Sequence, residues 1–209
     1  MRELRTPTLP TELGETLDRA VYNQDFRERK AEIRNRSSWK FERRQHFEET
    51  GNASRDALLR GDWRESIRLI SERREGLLEA SELDRRRGAF LHRVRVVETP
   101  LTPYMQWQLH SLRLRAECGH HIRVIGLGAL PVSDRGASLP EVVILGGRNL
   151  YNVLYTKAGV PNGAVRFTDP EIITNWEGYI GALYKVGEDV RTFFDREVAH
   201  LPPPTVAAE

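Results

Sequence analysis

Cysteine is almost missing from this 209-residue chain: Cys118 is the only one. A single thiol excludes an intramolecular disulfide framework and fits a reducing, cytoplasmic setting. Long apolar runs are missing as well. No stretch approaches the roughly 20 residues needed to cross a bilayer. The N-terminal MRELRTPTLPTELGETLDRA carries early acids and no apolar signal core. The expectation is a soluble protein without a membrane partner. Lysine is scarce too, at positions 30, 40, 157 and 185, so arginine supplies 28 of the 32 basic residues. Arginine suits carboxylate and phosphate recognition, although GC-rich coding would enrich it equally. Net charge is only +2, so no polyanionic partner is demanded by the chain as a whole.

Phosphate and nucleophile motifs are absent. No GxxxxGK[ST] run and no Gly-x-Ser-x-Gly elbow occurs. Gly126-Leu127-Gly128 follows a β-type run, but the third glycine is missing and Pro131 stands where a helix would be under way. Cys118, His120 and His121 include zinc-type ligands. Adjacent histidines usually point apart, and no second cysteine exists, so no metal and no cofactor is expected.

What is present is a strand–helix–strand unit. Val94, Val96 and Val97 make an apolar β-type run. Thr102-Pro103 starts a helix whose apolar stripe is Met105, Leu109, Leu112 and Ala116, and Gly119 stops it. Ile122, Val124 and Ile125 make the second run. Such units build parallel sheets with a crossover helix. Further on, Val142–Leu145 and Leu150–Tyr155 flank Gly146-Gly147-Arg148-Asn149, a hairpin signature. A short strand is expected over 164–167, then a long helix capped by Asp169-Pro170 and reaching Val198, with Gly187 as a bend.

Before this unit the chain reads as helical. Residues 13–49 are poorly amphipathic, with Ser37 and Ser38 as a break. A short helix capped by Asn52 or Ser54 ends at Gly61, and another runs from Asp62 to about Arg87. The expected organisation is an N-terminal helical arm over 1–87, an α/β core domain over 88–199 built on a small mixed sheet with flanking helices, and a disordered tail over 200–209.

Candidate sites follow from this layout. Arg93 and Arg95 share one face of a strand, because side chains alternate, and could receive an anion. Tyr104, Trp107 and Gln108 lie in the first turns of the helix that follows. They sit near the C-terminal strand edge, where ligands of open α/β sheets bind. A small ligand, anionic where the arginines meet it, or a partner protein, contacted by Arg93, Arg95, Tyr104, Trp107 and Gln108, is the leading expectation, with no catalytic residue assigned. The alternative is nucleic-acid binding by the basic arm. Between Arg27 and Arg44 eight basic residues stand against three acids, with Trp39 and Phe41 interleaved. Arg34, Arg36, Lys40, Arg43 and Arg44 would carry it, and Glu65, Glu72 and Glu75 on the later helix oppose it. The arm could also pair two copies of the chain. An enzyme of unrecognised type, assembled only by folding, is a third reading.

Three segments, RVRVVETPLTPYMQWQL, AECGHHIRVIGLGALP and FTDPEIITNWEGYIGALYKVGEDVRTFF, resemble a domain family of unknown function common in actinobacteria. The resemblance spans about Arg87 to Phe194. It implies a gene neighbourhood with helix-turn-helix regulators of the Xre type, hence an accessory regulatory role with such a regulator as partner, and it implies no catalytic residues. The order of elements is also similar to half of a phospholipase D-like fold, some of whose members are catalytically dead sensor domains. The His-x-Lys motif of the enzymes in that superfamily is absent: none of the six histidines has a lysine two positions later.

Overall fold

The computed structural model describes residues 4–136 and 138–205. Its centre is an eight-stranded mixed sheet. The strands are β1 (Glu15–Leu17), β2 (Arg36–Glu42), β3 (Ala89–Val97), β4 (His121–Gly126), β5 (Glu141–Leu145), β6 (Asn149–Tyr155), β7 (Pro161–Phe167) and β8 (Glu188–Asp189). Their order is β1-β7-β6-β5-β2-β3-β4-β8. β2, β3 and β4 run parallel, and the other pairings are antiparallel.

The expected strand–helix–strand unit is there. β3 and β4 pair in parallel, with Val96 opposite Ile125. The crossover is helix α5 (Pro103–Glu117), begun by the Thr102 side chain accepting the Met105 N–H with proline in the first turn. The β5–β6 hairpin is also as expected. Helices α1 (Arg19–Glu32), α2 (Ala53–Leu59), α3 (Trp63–Ser71), α4 (Arg74–Arg87), α6 (Pro170–Val186) and α7 (Val190–Glu197) complete the fold. α6 covers one face of the sheet, packing Trp176, Ile180 and Leu183 on Phe41, Val94, Val96 and Ile144. On the opposite face α5 and α7 cover Val97, Ile122 and Val124. The α2–α4 layer packs against the outer side of α5 through Leu58, Ile70 and Leu77. Tyr22 and Phe26 of α1 pack with Val143, Tyr151 and Val153. Among the described residues no helix is long and apolar enough to cross a membrane.

Three helical expectations are corrected. Residues 13–49 are not continuous helix: β1 and β2 bracket α1, and β2 sits inside the sheet between β3 and β5. Its alternation is real but disguised. Trp39 and Phe41 face α6, while Ser38, Lys40 and Glu42 take the opposite face, which is enclosed yet polar. The sheet therefore draws strands from both sides of position 87, where the arm was expected to end. The helix expected over 62–87 breaks at Glu72-Arg73 into α3 and α4. The final helix breaks at Gly187, which has extended backbone and no room for a side chain. A Cβ there would lie 2.9 Å from the Arg123 Cβ and 3.2 Å from Ile125, so glycine lets β8 reach β4.

Candidate functional site

The polar face of β2 and β3 forms the floor of a cleft. Lys40 and Arg93 are directly opposite in the parallel register, and Glu42 and Arg95 occupy the next inward pair. Lys40 Nζ lies 2.7 Å from Glu42 Oε1, and Arg93 Nε lies 3.5 Å from Glu42 Oε2. From above, α5 contributes Arg115.

The cleft has two chambers. The larger, about 440 Å³, runs under α1, with Tyr22, Phe26, Val143, Leu145 and Val153 among its walls. The smaller, about 270 Å³, is lined by Phe47, Glu48, Glu49, Arg73, Trp107 and Gln108 among others. The residues common to both are Lys40, Arg93, Arg115, Tyr155 and Pro161. Three cations, a phenol and no carboxylate therefore border both chambers where they meet.

The cations perturb one another. Burial lowers the Lys40 amine, and Arg93 adds to that, against the raising pull of Glu42. Burial lowers the Arg115 guanidinium to about 10, assisted by Arg93 and Arg73, while Glu49 and Glu42 restore only part. Among the described residues the Arg115 guanidinium makes no hydrogen bond, ion pair or ring contact. Burial pushes the Glu42 carboxyl up, but Arg93, Lys40 and Arg95 together outweigh it and hold the group well below the usual carboxylate range. Glu141 behaves oppositely. Burial and the nearby Glu42 charge raise it to about 7, although the Arg43 and Arg44 backbone N–H groups both donate to it.

The expected ligand residues divide into two groups. Arg93, Trp107 and Gln108 line the cleft. Arg95 and Tyr104 stand behind it, outside the lining of either chamber. Arg95 Nε donates to Gln108 Oε1 at 2.7 Å, and Arg95 Nη1 donates to the Glu42 and Val96 carbonyls, each at 3.2 Å. Gln108 Nε2 donates to the Tyr104 hydroxyl, which donates to Glu49 Oε1, both at 2.9 Å. These two residues brace the floor and offer no surface to a ligand. Trp107 Nε1 donates to Ser54 Oγ at 2.9 Å, because α2 and α3 cover this side of α5.

The cleft also lies on the sheet face, not at the C-terminal strand edge. That edge is closed by the segment after β2. Gln45 Nε2 donates to the Val96 carbonyl at 3.0 Å, and Gln45 Oε1 accepts the Glu98 N–H at 3.0 Å.

The basic residues of the arm do not form one surface. Arg34 and Arg36 are exposed, and Lys40 is in the cleft. Arg43 pairs with Glu98, and the Arg44 guanidinium lies 5.4 Å from the Tyr155 ring centre. Cys118 is buried with its thiol toward the Arg74 carbonyl, His121 stacks on His92, and His120 borders the larger chamber.

Arg115, Glu42, Glu141 and Tyr155 went unrecognised in the sequence as site residues. Arg115 had a usable signal, since it continues the Trp107 and Ser111 face of α5 at steps of four. The others had none, because their partners come from distant strands.

A family model described as a domain of unknown function (DUF6879) matches residues 24–195, and the chain belongs to that family. No curated protein and no solved structure matches it.

Proposed function

We propose that this member of the DUF6879 family is a binding module whose two-chamber cleft receives a small organic anion at the Lys40–Arg93–Arg115 junction. The observation that carries the reading is Arg115. The Arg115 side chain is half-buried, makes no bonded contact among the described residues and stands beside two other cations at the junction, so its donors are open to an anion. An anion there would supply charge-assisted hydrogen bonds to Arg115 and Arg93. The larger chamber is of small-molecule size, within the roughly 300–1,000 Å³ usual for ligand sites. Where a helix-turn-helix regulator is encoded nearby, as the sequence resemblance implies, occupancy of the cleft would be the signal passed to it.

A thermal-shift screen of carboxylates and phosphate esters at constant ionic strength tests this. Ligand that binds only the folded state raises the melting temperature with concentration. The Arg115→Gln variant should keep its circular dichroism spectrum and bind the best hit at least tenfold more weakly. Equal affinity in that variant removes Arg115 from the site and the reading with it.

A further inference from the structure

The two chambers differ in more than size, and the difference specifies the ligand. Resting on the anion-site reading above, we infer that the occupant is an amphiphile: an anionic head at the junction and a compact apolar, preferably aromatic, body in the larger chamber under α1.

The walls carry the argument. Tyr22 and Phe26 project from α1 and form an aromatic cluster with Tyr151, with ring centres 5.4–5.8 Å apart. Val143, Leu145 and Val153 continue that apolar surface across β5 and β6. Several polar groups bordering this chamber are already committed. Ser38 Oγ accepts the Gly146 N–H at 3.1 Å, and Glu141 accepts the backbone of Arg43 and Arg44. Lys30 and Asp84, of opposite sign, also border it. The smaller chamber is different. It carries Glu42, Glu48 and Glu49 beside its cations, so an apolar body gains little there and a second negative group is repelled. A head at the junction therefore directs its tail toward α1. Water in contact with the apolar walls is displaced by such a tail, which favours it over a bare anion.

The test uses the whole chain and a matched series of probes, measured by calorimetry and melting shift. 4-Phenylbutyrate has head and body, acetate has the head alone, 4-phenylbutylamine has the body with reversed charge, and 3-phenylpropyl phosphate exchanges the carboxylate for a phosphate. We expect 4-phenylbutyrate to bind at least tenfold more tightly than acetate and than the amine. Phe26→Ala should weaken 4-phenylbutyrate several-fold and leave acetate unchanged, whereas Arg115→Gln weakens both. The phosphate probe shows which anionic head is preferred, and tighter binding of either aryl anion over acetate supports the inference. If acetate and both aryl anions bind equally, the amphiphile is overturned and the anion site stands. If the amine binds as well as the acid, or no anion binds, the cationic junction is not a head-group site and both readings fall. The probe series needs no variant, so a misfolded Phe26→Ala protein would not shelter the inference.

Discussion

Removing the Arg95 side chain would strand Gln108 and take one cation from the buried Glu42 carboxylate. Arg95→Ala is expected to cost about 3–5 kcal/mol, the range for breaking a buried charge arrangement by deleting one member. Urea unfolding at neutral pH measures it, and a cost below about 1 kcal/mol would mean that Arg95 does not brace the floor. Glu141 makes a pH prediction. Its folded pKa, about 7, lies above its usual 4.5. The folded state thus holds a proton that the unfolded chain has released between those values. By linkage this group's contribution to stability falls as pH rises from 4.5 through 7. His110 acts the other way: burial, then Arg113, lowers it from 6.5 to about 4, so its contribution falls as pH drops through that window. Comparison with Glu141→Gln isolates the carboxyl. Between pH 5 and 7 the variant's stability should improve relative to the parent, by up to about 1.4 kcal/mol for each pH unit spanned inside the window, and level off by pH 8. A constant difference across that range would place Glu141 at an ordinary pKa.

At the scale of elements, α1 is unusual in that none of its residues from Arg19 to Glu32 is buried. Its attachment is concentrated at Asp25 and the aromatic pair beside it. Asp25 Oδ1 accepts from Arg166 at 2.8 Å and from Arg29 at 2.9 Å, and Oδ2 accepts from the Tyr151 hydroxyl at 2.6 Å. Burial raises the Asp25 carboxyl, but Tyr151, Arg166 and Arg29 together hold it below its normal value. Asp25→Ala should therefore weaken the docking of α1 by about 1.5–3 kcal/mol, the worth of hydrogen bonds to a charged group. Hydrogen exchange reads this directly: amides of α1 should exchange faster while those of β3 stay protected. Unchanged protection in α1 would show that Tyr22 and Phe26 suffice. β2 shows why some elements were illegible. Arg36–Glu42 has the two-residue alternation of a strand, but one of its faces is Ser38, Lys40 and Glu42. A face that is both polar and enclosed reads, in isolation, as solvated chain.

For the whole molecule, β2 is the join. It pairs in parallel with β3 and antiparallel with β5, and the β3–β4 and β5–β7 blocks share no other strand. A fragment spanning 88–209 should accordingly fail to fold, with a collapsed amide spectrum by NMR and no cooperative thermal transition. A well-dispersed spectrum from that fragment would restore an autonomous C-terminal domain. Local chemistry was enough for the β3–α5–β4 unit, the Thr102 and Asp169 caps and the β5–β6 hairpin, because periodicity, capping and turn residues act between neighbours in the chain. The cleft was decided elsewhere. Lys40, Arg93 and Arg115 come from three separate elements, and the consequence of each charge depends on what covers it. Arg93 and Arg95 are equivalent by alternation on one strand, yet one borders the cleft and the other is sealed beneath Gln108 and Phe47. Burial is set by segments remote in sequence, so only the tertiary structure could separate a cation that supports the floor from one that borders the cleft.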